Sequence, residues 1–295
     1  RGLRMEPDSR PVATIVEVGP RDGLQNEAVA VPLAEKIAFV DALTTAGLPV
    51  VEATSFVNPK MVPQLADAAD LMRRIDRRPG VRYLALVPNE RGYDRAREAG
   101  VDAIALFTAA TDAFAQANVG TTIDGTFARF APVAARARAD GVWIRGYISV
   151  AVHCPYTGAV PAAAVPPLVE RLLELGCAEI CLADTIGRAH PDEVARLLAA
   201  VAPACPVDRL ALHFHDTTGN AIANFDAGLA AGVRVFDGSV AGLGGCPFAP
   251  GAPGNLATET LVAHLESRGY RTGVDLAALQ AAAAPIVSRL RGAPA

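Results

Sequence analysis

Eight short apolar runs, rich in β-branched residues, alternate with longer helical patterns along most of this chain. They span residues 14–18, 50–53, 83–87, 103–107, 143–150, 179–183, 210–214 and 234–240. Runs that are apolar on both faces and separated by helices are typical of parallel strands joined by right-handed crossovers. Eight such units favour a closed (β/α)₈ TIM barrel with eight parallel strands over an open doubly wound sheet.

The segments between the runs have helical periodicity, and several begin with a proline suited to a first helical turn. They span residues 32–46, 63–75, 124–139, 161–175, 191–201 and 219–231, and a last Ala-rich helix is expected over 276–290. A glycine stands shortly before five of the runs, at Gly47, Gly100, Gly141, Gly176 and Gly232. We expect these glycines to end the preceding helices in the left-handed conformation.

We expect one catalytic barrel domain over residues 13–290, preceded by a flexible segment at 1–12 and followed by a short tail at 291–295. The chain has 295 residues, of which 51% are hydrophobic, and this composition allows a large core. A net charge of −4 provides no basic field for nucleic acid or an anionic membrane surface. No apolar run approaches the roughly 20 residues of a membrane span.

The five cysteines predict reduced thiols in a cytoplasmic protein. Their number is odd, they show no zinc-ligand pairing, and no secretory leader is recognisable. Pairing through the outer helices, and hence a homodimer, is expected from the apolar composition of the chain.

The barrel prediction directs attention to residues at the carboxyl ends of the strands, where barrel enzymes carry their active sites. His213 and His215 are two residues apart on the seventh run, so both imidazoles face the same side. Asp22 follows the first run. Two imidazoles and a carboxylate can hold Mn²⁺, Zn²⁺, Fe²⁺ or Mg²⁺, and Asn255 could add an amide oxygen. The alternative is a pair of core histidines bonded to the backbone.

Three further charged residues stand at the same predicted rim. Arg21 could stabilise a developing oxyanion, or it could form an ordinary surface ion pair with Asp22. Glu52 and Asp184 end the second and sixth runs, and each could be either a site residue or a solvated loop residue.

The segment SVAGLGGCPFAPGAPGNLATE, residues 239–259, is too rich in glycine and proline for a helix or strand. A long loop in a compact domain is commonly functional, so its residues 239–255 are expected to form a mobile lid. Cys246 lies in a Gly-Gly-Cys-Pro turn and is interpreted as a reactive thiol, the alternative being a small buried apolar residue.

Five motifs together resemble the 3-hydroxy-3-methylglutaryl-CoA lyase family, and the similarity runs from about residue 15 to residue 274. They are EVGPRDGLQNE at 17–27, EATSFVNPK at 52–60, ADT at 183–185, HFHDT at 213–217 and the loop at 239–259. The resemblance implies an acyl-CoA thioester substrate, cleaved by a retro-Claisen reaction to acetyl-CoA and acetoacetate.

The resemblance also implies roles for individual residues. Asp22, His213, His215 and Asn255 would bind Mg²⁺ or Mn²⁺. Arg21 would contact the thioester oxygen, Glu52 and Asp184 would support the site, and Cys246 would be catalytic on a mobile loop. The residue that takes the substrate's hydroxyl proton stays open among His213, Asp22 and Asp184.

Three positions depart from the family pattern. The family usually has Gly at His153, Gly-Ala-Ala-Ser-Glu at residues 108–112 and often Tyr at Phe248. We expect these positions near the substrate pocket, which makes a longer 3-hydroxy-3-alkylglutaryl-CoA an alternative substrate. A Claisen-condensing enzyme of the same superfamily would use a similar site, and a non-catalytic barrel could bind metal or CoA with it.

Overall fold

Eight parallel strands close into a barrel in the computed structural model of this chain, which describes residues 8–245 and 254–292. The barrel strands are β1 (Thr14–Glu17), β2 (Val50–Ser55), β3 (Arg82–Leu86), β4 (Ala103–Ala109), β5 (Trp143–Ser149), β8 (Glu179–Asp184), β9 (Leu210–Phe214) and β10 (Val235–Gly238). Each pairs with its neighbours along the chain, and β10 closes onto β1. Two short strands, β6 (His153–Cys154) and β7 (Gly158–Ala159), form a separate antiparallel hairpin. The predicted TIM barrel is confirmed.

Ten α-helices surround the barrel within the described residues. They are α1 (Leu33–Thr45), α2 (Ala68–Arg74), α3 (Glu90–Glu98), α4 (Asp112–Val119), α5 (Ile123–Ala139), α6 (Pro166–Glu174), α7 (Pro191–Val201), α8 (Ala221–Ala230), α9 (Thr258–Ser267) and α10 (Leu276–Arg291). In this part of the chain, no helix is long and apolar enough to cross a membrane.

Two of the predicted helices begin later than expected, and two helices were not predicted. Ala162–Ala164 form only a short 3₁₀ turn before α6, which begins at Pro166 because Pro166 and Pro167 lack an N–H and suit a first helical turn. The segment 63–75 likewise divides into a 3₁₀ turn and α2. The sequence pattern gave no signal for α3, which is highly charged, or for the short α4.

The predicted glycine caps are confirmed. Gly47, Gly100, Gly141, Gly176 and Gly232 all have positive φ, between 68° and 98°. Other residue types rarely adopt this backbone conformation, so these positions allow each helix to end and the chain to return to the barrel.

The barrel interior is layered from apolar at one end to polar at the other. Val16, Val50 and Leu84 pack together with the partly buried Trp143, and the guanidinium of Arg82 stacks 4.0 Å above the Trp143 ring. Leu86, Ala105, Tyr147, Cys181 and Ala211 form the next apolar group. Charged side chains enter the interior towards the carboxyl ends of the strands, where the sequence predicted the active site.

The proposed domain limits at residues 13 and 290 stay a prediction. Among the residues before the barrel, Arg10 forms ion pairs with Asp8 and Glu266, and Val12 forms a β-bridge with Arg271. These contacts attach residues 8–12 to the last turn of α9 and to the chain that follows it.

Candidate active site and metal centre

A single wide helical turn after β1 presents Arg21 and Asp22 at the carboxyl end of the barrel. The N–H groups of Arg21, Asp22 and Gly23 all point at the carbonyl oxygen of Val18, at 3.2, 2.8 and 3.2 Å. Turns of this wide type are rare and occur frequently at functional sites. Pro20 fits its start because a first-turn residue needs no N–H.

Asp22, His213 and His215 form a cluster that could hold a metal ion. One ligand atom from each lies within 4.8 Å of the other two, and the imidazole centroids are 5.3 Å apart. Both histidines are buried, each with 7% exposure. The alternation of side chains along β9 and the residue that follows it brings the two rings together, as predicted.

Asn255 joins this cluster from the far end of the glycine-rich segment. Its Nδ2 donates hydrogen bonds to Oδ2 of Asp22 at 2.7 Å and to the Leu243 carbonyl at 3.2 Å. Its backbone forms an isolated antiparallel bridge with His215. The four side chains predicted as metal ligands therefore meet at one place, with the Asn255 amide oxygen still available as a ligand.

The protonation preferences of the cluster suit a cation. Burial and the neighbouring His213 lower the pKa of His215 to about 4, so its ring is neutral. Burial opposes ionisation of Asp22, but Arg21, the two histidines and Asn255 outweigh it and hold the pKa of this carboxyl well below its usual range. Nδ1 of His215 is buried without a hydrogen-bond partner in the described structure. The neutral His215 ring and the ionised Asp22 carboxyl fit a divalent cation, because metal ligands bind in their deprotonated forms.

Arg21 is held between two carboxylates. Its Nη1 lies 2.8 Å from Oδ1 of Asp22, and its Nε donates to Oε1 of Glu52. Glu52, fully buried on β2, also accepts a 2.9 Å hydrogen bond from the Tyr147 hydroxyl. Burial alone would lower the pKa of Arg21. The negative charges of Glu52 and Asp22 outweigh burial, so the pKa of Arg21 lies above its ordinary value. The guanidinium is thus a fixed positive charge beside the cluster.

Asp184 is not brought into this cluster. Its carboxylate accepts hydrogen bonds from the N–H groups of Arg188 and Ala189, at 3.2 and 2.8 Å, and so holds the loop after β8. The neighbours Ala183 and Thr185 line the cavity above the cluster, whereas Asp184 faces the other side of the strand. Burial raises the pKa of Asp184 despite these two hydrogen bonds. Its predicted role in the site stays a prediction.

The predicted lid is described only at its two ends, and Cys246 and Phe248 lie outside the described residues. The N–H of Asn255 donates to the Gly244 carbonyl at 3.2 Å, which brings the ends together. Gly244 has φ of 88°, and a Cβ there would lie 2.9 Å from Nδ2 of Asn255 and 3.1 Å from the Asp22 carbonyl. This position therefore requires glycine.

A cavity of about 590 Å³ opens above the cluster. Arg21, Asp22, His213 and His215 lie on one side of it, and the apolar side chains of Leu86, Phe107, Phe114, Val57, Val62 and Val119 contribute other walls. Asn118 and the exposed Arg129 also line it. A concave, largely apolar pocket with a few convergent polar groups is typical of a small-molecule site.

Two of the positions that depart from the family pattern, His153 and Thr108, do not line this cavity, contrary to expectation. His153 pairs with Glu193 through Nε2 at 3.1 Å, and the Thr108 hydroxyl lies 2.7 Å from that of Thr126. Thr108 alternates with the cavity-lining Phe107 on β4, so it faces the helices. Neither side chain therefore determines the size of the described cavity.

The sequence pattern did not reveal a buried ionic group beneath the cluster. Arg145 on β5 and Asp237 on β10 form a two-armed ion pair in the barrel interior, next to Tyr147 and His213. Each charged residue stands inside an apolar run, WIRGYIS and VFDG, and this placement was the available signal.

Comparisons with known proteins identify the family of this chain. The HMGL-like family model matches residues 13–286. Hydroxymethylglutaryl-CoA lyase from Pseudomonas mevalonii is 49% identical over 265 residues, covering 90% of this chain and 88% of the relative. A protein from Pseudomonas aeruginosa named 3-hydroxy-3-isohexenylglutaryl-CoA/hydroxy-methylglutaryl-CoA lyase is also 49% identical, with the same coverage.

Among solved structures, the HMG-CoA lyase from Brucella melitensis superposes with a TM-score of 0.93. It is 48% identical in sequence, and the match covers 95% of this chain and 99% of that structure. Family model, sequence and fold thus coincide over nearly the whole barrel, and this chain belongs to the HMGL-like family.

Proposed function

We propose that this protein is a lyase that cleaves 3-hydroxy-3-methylglutaryl-CoA to acetyl-CoA and acetoacetate. The observation that carries the proposal is the meeting of Asp22, His213 and His215 beside Arg21 on one side of the cavity. The similarity in sequence and fold to enzymes named for this substrate supports it. Carbon–carbon cleavage of this kind leaves an enolate, so the site must hold both an oxygen-rich substrate and a developing negative charge.

We propose Mg²⁺ or Mn²⁺ as the cofactor, held by Asp22, His213, His215 and the amide oxygen of Asn255. Two imidazoles with oxygen ligands leave positions for substrate oxygens. When bound, the cation lowers the pKa of the substrate's tertiary hydroxyl. The contact from Asn255 to Asp22 orients that carboxylate before any ligand arrives.

Arg21 would stabilise the enolate oxygen of the thioester. Glu52 engages its Nε and Asp22 its Nη1, and Nη2 makes no hydrogen bond with the described residues. The unused nitrogen can therefore donate to the substrate, while the two carboxylates keep the guanidinium from reorienting. A preorganised donor is most effective in a site with little water.

The hydroxyl proton would pass to a residue that lines the cavity. Of the three candidates, Asp22 and His213 line it and Asp184 does not, so the proposal keeps the first two. Cys246 would return a proton to the carbanion carbon, and the segment 239–255 would close over the substrate. Glu52 is assigned to hold Arg21, and Asp184 to hold the loop after β8.

The test is direct. The purified protein is incubated with Mg²⁺ and 3-hydroxy-3-methylglutaryl-CoA, and acetyl-CoA and acetoacetate are measured by mass spectrometry. The expected result is equimolar formation of both products, abolished by excess chelator and by Asp22→Asn. A condensing enzyme would instead release free CoA thiol from acetyl-CoA and a 2-keto acid, and a binding-only barrel would do neither.

A longer alkyl branch on the substrate is the second candidate. The cavity carries several apolar side chains, including Leu86 and Phe107, and the Pseudomonas aeruginosa relative is named for a branched isohexenyl substrate as well. A panel of 3-hydroxy-3-alkylglutaryl-CoA thioesters with branches of increasing length decides between the two. If kcat/KM is highest for the methyl compound, the longer branch is excluded as the preferred substrate.

We further propose that the protein acts in the cytoplasm as a homodimer. Size-exclusion chromatography with light scattering tests the dimer, and a mass equal to one chain at micromolar concentration would contradict it. Cell fractionation tests the location.

A further inference from the structure

A buried carboxylate lies directly behind one of the cluster imidazoles. Asp237 on β10 is 2% exposed, and its Oδ2 lies 3.1 Å from Nδ1 of His213. Because Nδ1 is engaged by this contact, Nε2 is the nitrogen of His213 left for a ligand outside the protein.

Asp237 is itself fixed by Arg145, which is fully buried and lies across the barrel on β5. Nη2 of Arg145 donates to Oδ1 of Asp237 at 2.7 Å, and Nη1 donates to Oδ2 at 3.0 Å. Such a two-armed pair restricts the orientation of both side chains. Arg145 also forms an ion pair with Glu179 through Nε at 2.8 Å.

Tyr147 joins this pair to Arg21. Its hydroxyl lies 2.5 Å from Nη1 of Arg145, 3.3 Å from Oδ2 of Asp237 and 2.9 Å from Oε2 of Glu52. The other oxygen of Glu52, Oε1, accepts a hydrogen bond from Nε of Arg21. A continuous set of hydrogen bonds therefore runs beneath the cavity from the His213 imidazole to the Arg21 guanidinium.

We propose that Asp237, held by Arg145, is a positioning residue that fixes the ring orientation and tautomer of His213, so that Nε2 faces the cation site. The inference rests on the metal site of the proposed function. Carboxylates that accept from the outer nitrogen of a metal-binding histidine increase metal affinity, and their loss typically weakens binding by about 10- to 100-fold.

A buried ion pair can also be a purely structural feature of a barrel interior, so the experiment has to separate the two roles. Asp237→Asn removes the carboxylate behind His213. Glu179→Gln is the matched control, because it removes another carboxylate partner of Arg145 without touching His213. A structural role predicts that Mn²⁺ affinity follows thermal stability in both variants. Positioning predicts a loss of affinity only in Asp237→Asn.

Mn²⁺ affinity of the metal-free protein is measured by electron paramagnetic resonance of the unbound ion. Asp237→Asn should bind Mn²⁺ about 10- to 100-fold more weakly than the wild type. Glu179→Gln should bind it normally. Equal affinity in wild type and Asp237→Asn overturns the positioning role alone. No Mn²⁺ binding by the wild type overturns the metal site as well.

Asp237→Asn leaves the buried Arg145 charge with Glu179 as its remaining carboxylate partner, and the loss of the two-armed pair can prevent folding. The double variant Asp237→Asn/Arg145→Gln removes both charges, and we expect it to regain stability while Mn²⁺ affinity stays low. Recovery of both stability and Mn²⁺ affinity in the double variant would overturn the proposal.

The tautomer of His213 can also be measured directly in the wild type, from ¹⁵N spectra of histidine-labelled, metal-free protein. His213 should carry a proton on Nδ1, and an unprotonated Nδ1 would exclude the proposed hydrogen bond.

Discussion

Nδ2 of Asn255 donates a 2.7 Å hydrogen bond to Oδ2 of Asp22, across a sequence separation of 233 residues. This contact joins the turn after β1 to the far end of the glycine-rich segment, and it forms where the last barrel strand closes onto the first. Asp22 therefore depends for its orientation on the last residue of the predicted lid.

Replacing Asn255 should weaken metal binding without unfolding the barrel. Asn255→Ala removes both the donor to Asp22 and the proposed amide ligand, and we expect Mn²⁺ affinity to fall by about 10- to 100-fold. The affinity is measured by isothermal titration calorimetry. Asn224→Ala is the matched control, because Asn224 is also buried but donates to the Ala189 carbonyl in the loop after β8 and does not line the cavity. An equal loss of Mn²⁺ affinity in both variants would show that the loss comes from general destabilisation of the protein.

Arg21→Gln should lower turnover while metal binding is retained. Loss of one preorganised oxyanion donor typically reduces kcat by about 10²- to 10³-fold. Because the interaction strengthens only as the enolate forms, kcat should fall far more than KM changes. Steady-state kinetics with saturating Mg²⁺ measure both constants. Near-normal turnover in a folded, metal-binding variant would remove Arg21 from the mechanism.

Cys246→Ala should fold and bind Mn²⁺ normally but turn over slowly, because a positioned proton donor contributes about 10²- to 10⁴-fold. Turnover is compared with that of Cys205→Ala, whose buried thiol lies between α7 and β9, apart from the cavity. Unchanged turnover in Cys246→Ala would favour the alternative interpretation, in which Cys246 is a small apolar residue without a catalytic role.

The raised pKa of the buried Glu17 carboxyl predicts one part of the pH dependence of stability. Glu17 accepts hydrogen bonds from the N–H groups of Gly19 and Val240 and from the Thr258 hydroxyl, and burial outweighs them to raise its pKa to about 8. Between the ordinary value of 4.5 and about 8, the folded state holds a proton that the unfolded state has released. The contribution of Glu17 to the free energy of unfolding should therefore fall as pH rises, by up to about 1.4 kcal/mol per pH unit.

Urea unfolding at pH 5, 6, 7 and 8 measures this slope. Glu17→Gln imitates the neutral acid and should remove the contribution, whereas Glu98→Gln, an exposed control, should leave it intact. Identical pH dependence in the wild type and Glu17→Gln would show that Glu17 is ionised in the folded state throughout.

The eight strands and the convergence of Asp22, His213 and His215 were accessible from the sequence, because strand position and two-residue alternation determine which side chains reach the barrel mouth. The same alternation excludes Asp184 from the cavity, since Cys181 faces the barrel interior and Asp184 is an odd number of residues away. A position at a strand end therefore predicts a site residue only when the face of the strand is also taken into account.

The Arg145–Asp237 pair could not be derived in the same way. The two residues are 92 positions apart, on strands that do not pair with each other. A charge inside an apolar run signals a buried partner, but the choice among Glu52, Glu179 and Asp237 depends on strand tilt and register around the closed barrel. Those quantities come from packing, not from local sequence pattern.

Arg129 should contribute to recognition of the CoA part of the substrate. Within the described residues it is, with Arg21, one of two arginines that line the cavity, and its exposed guanidinium suits a phosphate. Arg129→Ala should raise KM for the acyl-CoA about tenfold at unchanged kcat, since a hydrogen bond to a charged group contributes on the order of 1.5 kcal/mol. Arg138→Ala, on the same helix but not lining the cavity, should leave KM unchanged. The corresponding acyl-pantetheine lacks the nucleotide phosphates, so wild type and Arg129→Ala should bind it equally, and a KM difference that persists with this substrate would contradict a phosphate contact.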